Sequence, residues 1–168
     1  MMFKLINFVE KIIWGIYKRI KILYWKLKYG KRIEIGKKLS FRKGFNILIE
    51  NEGHLKIGDN CFFNNDCSIN CLDEIIIGNG NLFGENIKIY DHNHKFNKNN
   101  ISRNEFKTNK IHIGNNNWIG SNTVILSKAY IEDNNIIGAG VILNEIISSN
   151  KIVTQESRVL KVKEIVGE

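Results

Sequence analysis

The chain has 168 residues, 43% of them hydrophobic, which suits one domain-sized unit with a single continuous core. Its formal net charge is +8 at pH 7. Residues 1–32 contain nine basic side chains and one acidic side chain, so the remainder is electrically neutral. A nucleic-acid-binding protein needs basic residues on its folded body, and this distribution therefore excludes nucleic acid as the expected partner.

The first predicted element is a helix over residues 2–29. Apolar residues recur there at steps of three and four, basic residues fill the other face, and Gly30 is a natural stop. The longest uncharged run, 12–17, is far shorter than the ~20 residues that span a bilayer. No small-residue cleavage site of a signal peptide follows. Residues 1–32 are therefore expected to form a basic amphipathic arm, which either lies on an anionic membrane surface or caps the next domain.

Residues 33–150 carry an apolar side chain at every sixth position. This spacing, with Gly often following the apolar residue, is the signature of a hexapeptide parallel β-helix, in which three hexads make one triangular coil. About five coils are predicted. Extra residues fall at one corner only, because each coil must return to register about 4.8 Å from its neighbour. The inward positions are Ile35, Phe41, Ile47, Ile57, Phe63, Ile69, Ile77, Phe83, Ile89, Ile113, Ile119, Ile125, Ile131, Ile137 and Leu143.

The longest insertion, a predicted protruding loop over residues 92–110, interrupts the third coil. Long excursions from a compact fold are usually functional. This one opens on the sequence DHNH, which contains His92 and His94. Imidazole has an unperturbed pKa of ~6.5 and suits proton transfer near neutrality, so these two are the candidate bases. His54 and His112 are expected at the surface.

The three cysteines are predicted to be packed thiols. Cys61 and Cys67 occupy the position where a hexad takes a small side chain, and neither forms a CxxC pair with Cys71. A reducing cytoplasmic setting fits, with no disulfide framework. A zinc site on a β-helix would need three converging histidines, and only His92 and His94 are close in register, so no metal is expected.

The hexad pattern ends at residue 150, and residues 151–168 form a C-terminal tail. Apolar residues alternate with basic ones near its end. This pattern predicts a short closing strand or helix.

Several strings occur together on this framework: the DHNH loop, WIGS at 118–121, IGAG at 137–140 and SRVLK at 157–161. In combination with the hexads they resemble the hexapeptide-repeat acetyltransferases over roughly residues 33–163. The nearest subgroup is the capsule, exopolysaccharide and lipopolysaccharide O-acetyltransferases, which are related to galactoside and maltose acetyltransferases. The usual Gly-x-Pro-Ala and Thr-Lys-Asp strings are replaced by residues 154–157 and 144–146, so one cationic contact to coenzyme A is missing or moved.

The resemblance implies a left-handed β-helix and a homotrimer with acetyl-CoA bound in clefts between subunits. It assigns the catalytic base to His92, with His94 as the fallback. Expected cofactor contacts are Trp118, Ser121, Ala139, Gly140, Arg158 and Lys161, and expected saccharide contacts are Asn64, Asn65, Asp91 and Asn93.

The resulting hypothesis is a bacterial, cytoplasmic, acetyl-CoA-dependent O-acetyltransferase. Residues 1–29 are a candidate for peripheral contact with the inner face of the cytoplasmic membrane. Its acceptor is a sugar hydroxyl of a surface polysaccharide or of the lipid-linked precursor, and transfer is direct, without a covalent intermediate. The alternative enzyme is an N-acetyltransferase of an amino sugar or a nucleotide-linked amino sugar. The non-enzymatic alternative is a purely structural or binding β-helix.

Overall fold

The computed structural model describes residues 2–156, which form one long helix and a parallel β-helix. Helix α1 spans Met2–Tyr29 as predicted. It ends at Gly30, whose φ of +57° favours glycine, and a 3-10 turn over Gly30–Arg32 follows. The strands, in chain order, are β1 (Ile33–Ile35), β2 (Ser40–Phe41), β3 (Asn46–Ile49), β4 (His54–Ile57), β5 (Phe62–Phe63), β6 (Ser68–Cys71), β7 (Glu74–Ile77), β8 (Leu82–Phe83), β9 (Lys88–Tyr90), β10 (His92–Phe96), β11 (Ile101–Thr108), β12 (Ile111–Ile113), β13 (Trp118–Ile119), β14 (Val124–Leu126), β15 (Tyr130–Ile131), β16 (Ile136–Ile137), β17 (Ile142–Leu143), β18 (Ile146–Ile147) and β19 (Ile152–Val153).

Three parallel sheets form the sides of a triangular prism. Sheet A has the order β1-β4-β7-β12-β15-β18, sheet B has β2-β5-β8-β13-β16-β19, and sheet C has β3-β6-β9-β14-β17. The predicted left-handed parallel β-helix with an N-terminal helix is confirmed, with about six turns rather than five. The sixth turn, begun by β18 and β19, escaped prediction because the step from Leu143 to Ile147 shrinks to four residues. The predicted C-terminal closing segment lies outside the described residues.

The predicted hexad residues form the core. All of them are buried except Ile35, which is partly exposed. Phe63 stacks between Phe45 and Phe83, with ring centroids 4.4 and 4.2 Å apart. Each fully buried aliphatic or aromatic side chain contributes roughly 1.5–3 kcal/mol, so the column of inward side chains is the main source of stability.

Asparagine recurs at the corners between sheets A and B. Equivalent residues in successive turns have φ between +55° and +69° there: Lys38, Asn60, Gly80, Asn116 and Asn134. Most side chains avoid this left-handed region, whereas Gly and Asn tolerate it. Each corner thus selects the residue types that turn the chain at little cost.

Helix α1 covers the open end of the first turn. The Trp25 ring is 1% exposed and lies with its centroid 5.4 Å from that of Phe41 and 5.5 Å from that of Phe45. Lys21 Nζ donates to the Phe45 carbonyl. The helix therefore closes the end of the core and shields the first aromatic rings of its column.

Side chains of α1 also satisfy carbonyl groups at the edge of the first turn. Trp14 Nε1 donates to the Phe41 carbonyl at 3.2 Å, and the Tyr29 hydroxyl donates to the Ile47 carbonyl at 3.1 Å. An exposed sheet edge leaves such groups without partners and invites another chain to pair with it. The arm is therefore a cap, the second of the two roles expected for it.

The cap uses a face of α1 that differs from the aliphatic stripe seen in the sequence. The stripe residues remain exposed on the helix: Leu5, Phe8, Val9, Ile12, Ile13, Ile16, Ile20, Leu23, Tyr24 and Leu27. The amphipathic pattern predicted that this stripe would be the binding face in either role. For the cap that prediction was wrong, because tryptophan and lysine side chains reach the edge carbonyls that aliphatic ones cannot bond.

Candidate active site

The corner that follows sheet C in the third turn extends into a β-hairpin. Strands β10 and β11 pair antiparallel, with His92 opposite Thr108 and His94 opposite Phe106. The Asn109 amide donates to the Asp91 carbonyl at 2.9 Å and closes the base of the hairpin. The segment expected to be a protruding loop over residues 92–110 is therefore mostly regular strand, which gives the histidines defined positions.

Asp91 and His92 form a hydrogen-bonded pair at the base of this hairpin. Asp91 Oδ1 lies 2.9 Å from His92 Nδ1, and the Asp91 side chain is fully buried. Because a carboxylate is an acceptor only, Nδ1 carries the hydrogen of this contact. In the neutral form of the ring, Nε2 then has the lone pair and can accept a proton.

Main-chain donors hold the Asp91 carboxylate in place. Both oxygens accept from the Leu72 amide at 2.9 Å, and Oδ2 accepts from the Asp73 amide at 2.8 Å. Asp91 was expected to contact the saccharide, but burial leaves its oxygens to protein donors instead. Its inward direction continues the alternation of Ile87 and Ile89, a signal that strand periodicity could have revealed.

Phe106 contacts both histidines of the hairpin. The ring centroid of Phe106 is 5.4 Å from that of His92 and 4.7 Å from that of His94. His94 Nδ1 lies 3.0 Å from the Ser102 carbonyl, and the His94 side chain is exposed. His92 is more enclosed, with its side chain 16% exposed. Of the two candidate bases, only His92 is oriented by a buried carboxylate.

A second group of expected site residues shares the corner between sheets B and C. Trp118 projects outward from β13 and is 56% exposed. The Ser121 hydroxyl accepts from the Glu85 amide at 3.0 Å, and the Gly140 amide donates to the Ser121 carbonyl at 2.8 Å. A Cβ added to Gly120 would lie 2.5 Å from the Ala139 nitrogen, so this corner is closely packed and lined by small residues.

The expected asparagines occupy different corners. Asn64 and Asn65 follow β5 at the corner between sheets B and C, where Asn65 Nδ2 donates to Glu85 Oε1 at 3.0 Å. Asn93 is exposed on the hairpin, opposite Lys107. Glu85, which bonds residues of the turns on both sides, was missed because a charged residue in a turn carries no distinct sequence signal.

One chain does not bring the two groups of residues together. His92 follows sheet C, whereas Ser121 precedes it, so at least one strand of sheet C lies between their corners. The three residues of β9 span about 10 Å at ~3.3 Å per residue. Arg158 and Lys161, the two basic contacts expected for the cofactor, lie outside the described residues.

The cysteines point inward, as predicted. Cys61, Cys67 and Cys71 are buried and free. Cys61 Sγ donates to the Gly78 carbonyl and Cys67 Sγ to the Gly84 carbonyl, both at 3.1 Å. Burial raises the pKa of all three thiols. Within residues 2–156 no cluster of three or more His, Cys, Asp or Glu side chains is arranged to hold a metal ion.

Comparison with known proteins finds one family model that matches part of the chain. The family described as bacterial transferase hexapeptide (six repeats) matches residues 110–145. A search of curated proteins by sequence finds no match. These findings place the repeat signal in the fourth and fifth turns, beside Trp118, Ser121, Ala139 and Gly140.

Solved structures of acetyltransferases share the fold. A maltose O-acetyltransferase from Clostridium difficile has a TM-score of 0.62 and 28% identity, over 72% of this chain and 64% of that one. A hexapeptide-repeat acetyltransferase from Vibrio cholerae has a TM-score of 0.63 and 25% identity, over 76% of this chain and 72% of that one.

A second structure of the Vibrio cholerae protein, complexed with acetyl coenzyme A, has a TM-score of 0.51 and 23% identity over 81% of this chain and 68% of that one. The chain spans less than two thirds of the length of the maltose O-acetyltransferase. The repeat match and the shared fold agree with the resemblance inferred from the sequence strings. The chain carries the hexapeptide repeat of bacterial transferases over residues 110–145 and is similar in fold to hexapeptide-repeat acetyltransferases.

Proposed function

We propose that this protein transfers the acetyl group of acetyl-CoA to a sugar hydroxyl of a surface polysaccharide or its lipid-linked precursor. The observation that carries the proposal is the Asp91–His92 pair at the base of the hairpin. The fold is that of acetyltransferases, one of which acts on maltose by its description. A buried carboxylate that orients an imidazole is the arrangement that prepares a general base.

His92 Nε2 is the proposed base. A sugar hydroxyl attacks a thioester effectively only when its proton leaves as the new C–O bond forms, and a positioned base contributes ~10²–10⁴-fold. The proton passes to His92, the C–S bond breaks, and the departing thiolate takes a proton from the imidazolium. Asp91 stabilises that imidazolium without itself becoming protonated. The transfer is direct, since the cysteines are buried and no acyl-enzyme is required.

The corner of small residues between sheets B and C is the proposed contact for acetyl-CoA. Trp118 offers an exposed aromatic face, while Ser121, Ala139 and Gly140 leave room for a slender chain. Main-chain amides of a neighbouring turn would supply the donors for the oxyanion that forms at the thioester carbon. The Vibrio cholerae neighbour has been solved with acetyl coenzyme A, which supports this donor. No metal is required by this chemistry.

The separation of the two residue groups supports a homotrimer. If three prisms stand side by side, the His92 corner of one chain can face the Ser121 corner of the next. Each of three sites then takes its base from one subunit and its cofactor surface from another. A monomer would leave both halves incomplete, so activity and assembly are expected to be inseparable.

A cytoplasmic setting at the inner face of the membrane completes the proposal. No helix within residues 2–156 combines the length and apolarity needed to cross a bilayer. The exposed aliphatic residues and the basic charge of residues 1–29 suit a peripheral contact instead. That location would place the enzyme where lipid-linked glycans are assembled.

An acceptor screen tests the function. Purified protein and acetyl-CoA are incubated with polysaccharides, lipid-linked oligosaccharides and nucleotide sugars, and thiol release is followed together with the mass of the acceptor. Each sugar is paired with its 2-amino counterpart, so that acetylation of the amine would assign N-acetylation instead. Absence of acceptor-dependent thiol release throughout the screen would refute the proposal.

A further inference from the structure

We propose that the aliphatic stripe of α1 is the surface that docks on an anionic lipid membrane, and that it holds the β-helix perpendicular to that membrane. The inference rests on the proposed function, because a lipid-borne acceptor is what gives the contact a use. It adds which face binds, how the molecule is oriented, and how far the site stands from the lipid.

The helix has two opposite binding faces. Positions 14, 18, 21 and 25 lie against the first turn, as the contacts of Trp14, Lys18 and Trp25 show. Positions 16, 20, 23 and 27 each follow one of these by two residues, which is a rotation of about 200° at 3.6 residues per turn. The second row is apolar and between 52% and 76% exposed. The stripe therefore points directly away from the β-helix.

The charges beside the stripe select the partner. Arg19 and Lys26 are exposed along one border, and Lys28 is exposed along the other. Glu10 is the single acidic residue among residues 1–32. Two copies joined stripe to stripe would bring these cations together, whereas an anionic lipid surface supplies the opposite charge. An apolar stripe flanked by basic side chains is typical of a helix that lies at a membrane interface.

The orientation follows from where α1 sits. It covers the end of the first turn, so a stripe facing away from that turn faces along the axis of the prism. In the proposed trimer, with parallel axes, three stripes share one end face and bind the same surface together. Such linkage strengthens docking without any new contact. The stripe runs along a 28-residue helix that is about 42 Å long. Exposed apolar patches of more than a few hundred Å² mark interaction sites.

The geometry fixes the height of the site. His92 follows the third turn, two steps of about 4.8 Å above the first. A helix roughly 10 Å in diameter lies between the first turn and the lipid. His92 therefore stands about 20 Å above the membrane surface. At that height the base meets sugars of an extended glycan, and the sugar attached directly to the lipid lies below its reach.

Docking is tested with a matched pair of substitutions in the full chain. Leu27 and Ile146 are both 76% exposed, at opposite ends of the molecule. Leu27→Glu should weaken co-sedimentation with phosphatidylglycerol vesicles by roughly 10-fold. Ile146→Glu should leave it unchanged. Equal binding by the two variants, or equal binding of the unsubstituted chain to neutral phosphatidylcholine vesicles, would overturn the proposal.

Self-association is distinguished in the same samples. If the stripe pairs with another copy, light scattering without lipid will show an assembly larger than the trimer that Leu27→Glu dissolves. That outcome would also overturn the proposal. Light scattering that is the same for both variants, with vesicle binding weakened only in Leu27→Glu, is the expected result.

Orientation is tested by energy transfer from labelled cysteines to a dye on the lipid headgroup. Glu52 and Glu145 are exposed at the corner between sheets C and A, separated by four turns or about 19 Å. The native thiols are buried, so Glu52→Cys and Glu145→Cys can be labelled selectively. Transfer should be strong from position 52 and weak from position 145. Equal transfer would mean that the prism lies flat, contrary to the proposal.

Activity on a water-soluble acceptor separates this inference from the proposed function. Leu27→Glu should acetylate the soluble acceptor at the unsubstituted rate while losing activity on the same glycan displayed on vesicles. If Leu27→Glu acetylates the soluble and the vesicle-displayed glycan at equal rates, the docking role is refuted and the acetyltransferase activity is not. If the unsubstituted chain acetylates neither substrate, the result counts against the proposed function.

Discussion

Asp91 Oδ1 lies 2.9 Å from His92 Nδ1, and the carboxylate is fully buried beneath the hairpin that carries the imidazole. The pair joins the rigid body of the β-helix to its one large insertion. Main-chain amides on the preceding corner fix the carboxylate, so the orientation of His92 is set by the solenoid and is independent of the exposed end of the hairpin.

Replacing His92 by Ala should lower kcat by at least ~10²-fold, because His92 is the candidate base that a buried carboxylate orients. The oligomeric state and the thermal unfolding of the protein should be unchanged, since the side chain is near the surface. His94→Ala is the matched control and should retain most activity. Loss of activity in His94→Ala with retention in His92→Ala would move the role to His94.

Asp91→Asn should reduce kcat by roughly 10–100-fold, because an amide can no longer hold the correct tautomer of His92. The KM for acetyl-CoA should change little, since Asp91 touches no cofactor surface. Asp73→Asn is the control, because the main-chain amide of residue 73 donates to Asp91 and the side chain of Asp73 is not part of that contact. Unchanged kcat in a folded Asp91→Asn enzyme would contradict a positioning role.

Trp25 and Trp118 offer a separable pair of substitutions. Trp25→Ala removes a fully buried ring from the cap and should destabilise the protein by about 3–5 kcal/mol in denaturant unfolding. Trp118→Ala removes an exposed ring, so the free energy of unfolding should change by less than about 0.5 kcal/mol. Its KM for acetyl-CoA should rise. A normal KM in Trp118→Ala would remove Trp118 from the cofactor surface.

The cysteines should resist alkylation in the native protein. Their pKa values are raised by burial, so the reactive thiolate forms only at higher pH than in an ordinary cysteine, and access is blocked as well. Iodoacetamide at pH 8 should leave activity intact, while the same reagent in guanidinium should label all three. Rapid native labelling with loss of activity would contradict both the inward register and direct transfer.

Gly120 tests the packing of the corner between sheets B and C, and Gly15 in α1 is its contrast. Gly120→Ala would place a Cβ 2.5 Å from the Ala139 nitrogen, so main chain must shift and the midpoint of thermal unfolding should fall. Gly15→Ala meets nothing within 4 Å in the middle of α1. It should stabilise the protein by about 0.5–1 kcal/mol, because alanine has the higher helix propensity. An unchanged midpoint of thermal unfolding in Gly120→Ala would show that the corner has room for a methyl group.

Sequence periodicity predicted the turns because every hexad residue faces the same environment, a neighbour of like kind above and below. It missed the direction of Asp91, since a charged residue was read as a ligand contact although it continues the inward alternation of Ile87 and Ile89. It also missed which face of α1 packs. Hydrophobicity ranks Ile16 above Lys18, whereas the edge of the first turn offers carbonyl oxygens that only a donor can satisfy.

The separation of the two groups of expected site residues could not be deduced from the sequence. Distances along the sequence set the turn in which a residue lies, and the triangular section sets its corner. Whether the corner of one prism meets another depends on the outer faces of all three sheets, and those faces carry no repeat. The residues expected to surround acetyl-CoA thus stayed an unassembled set until the fold assigned them to separate corners.

Insertions enter the β-helix at the corner after sheet C, and the hairpin is the longest of them. Because the strands before and after it pair with their neighbours in unbroken register, this segment can lengthen, shorten or change sequence without moving the core. In the proposed enzyme, acceptor choice could therefore diverge between descendants of such a chain while the proposed acetyl-CoA surface, built from the coils themselves, is inherited unchanged. The corner separates what natural selection can alter quickly from what it must conserve.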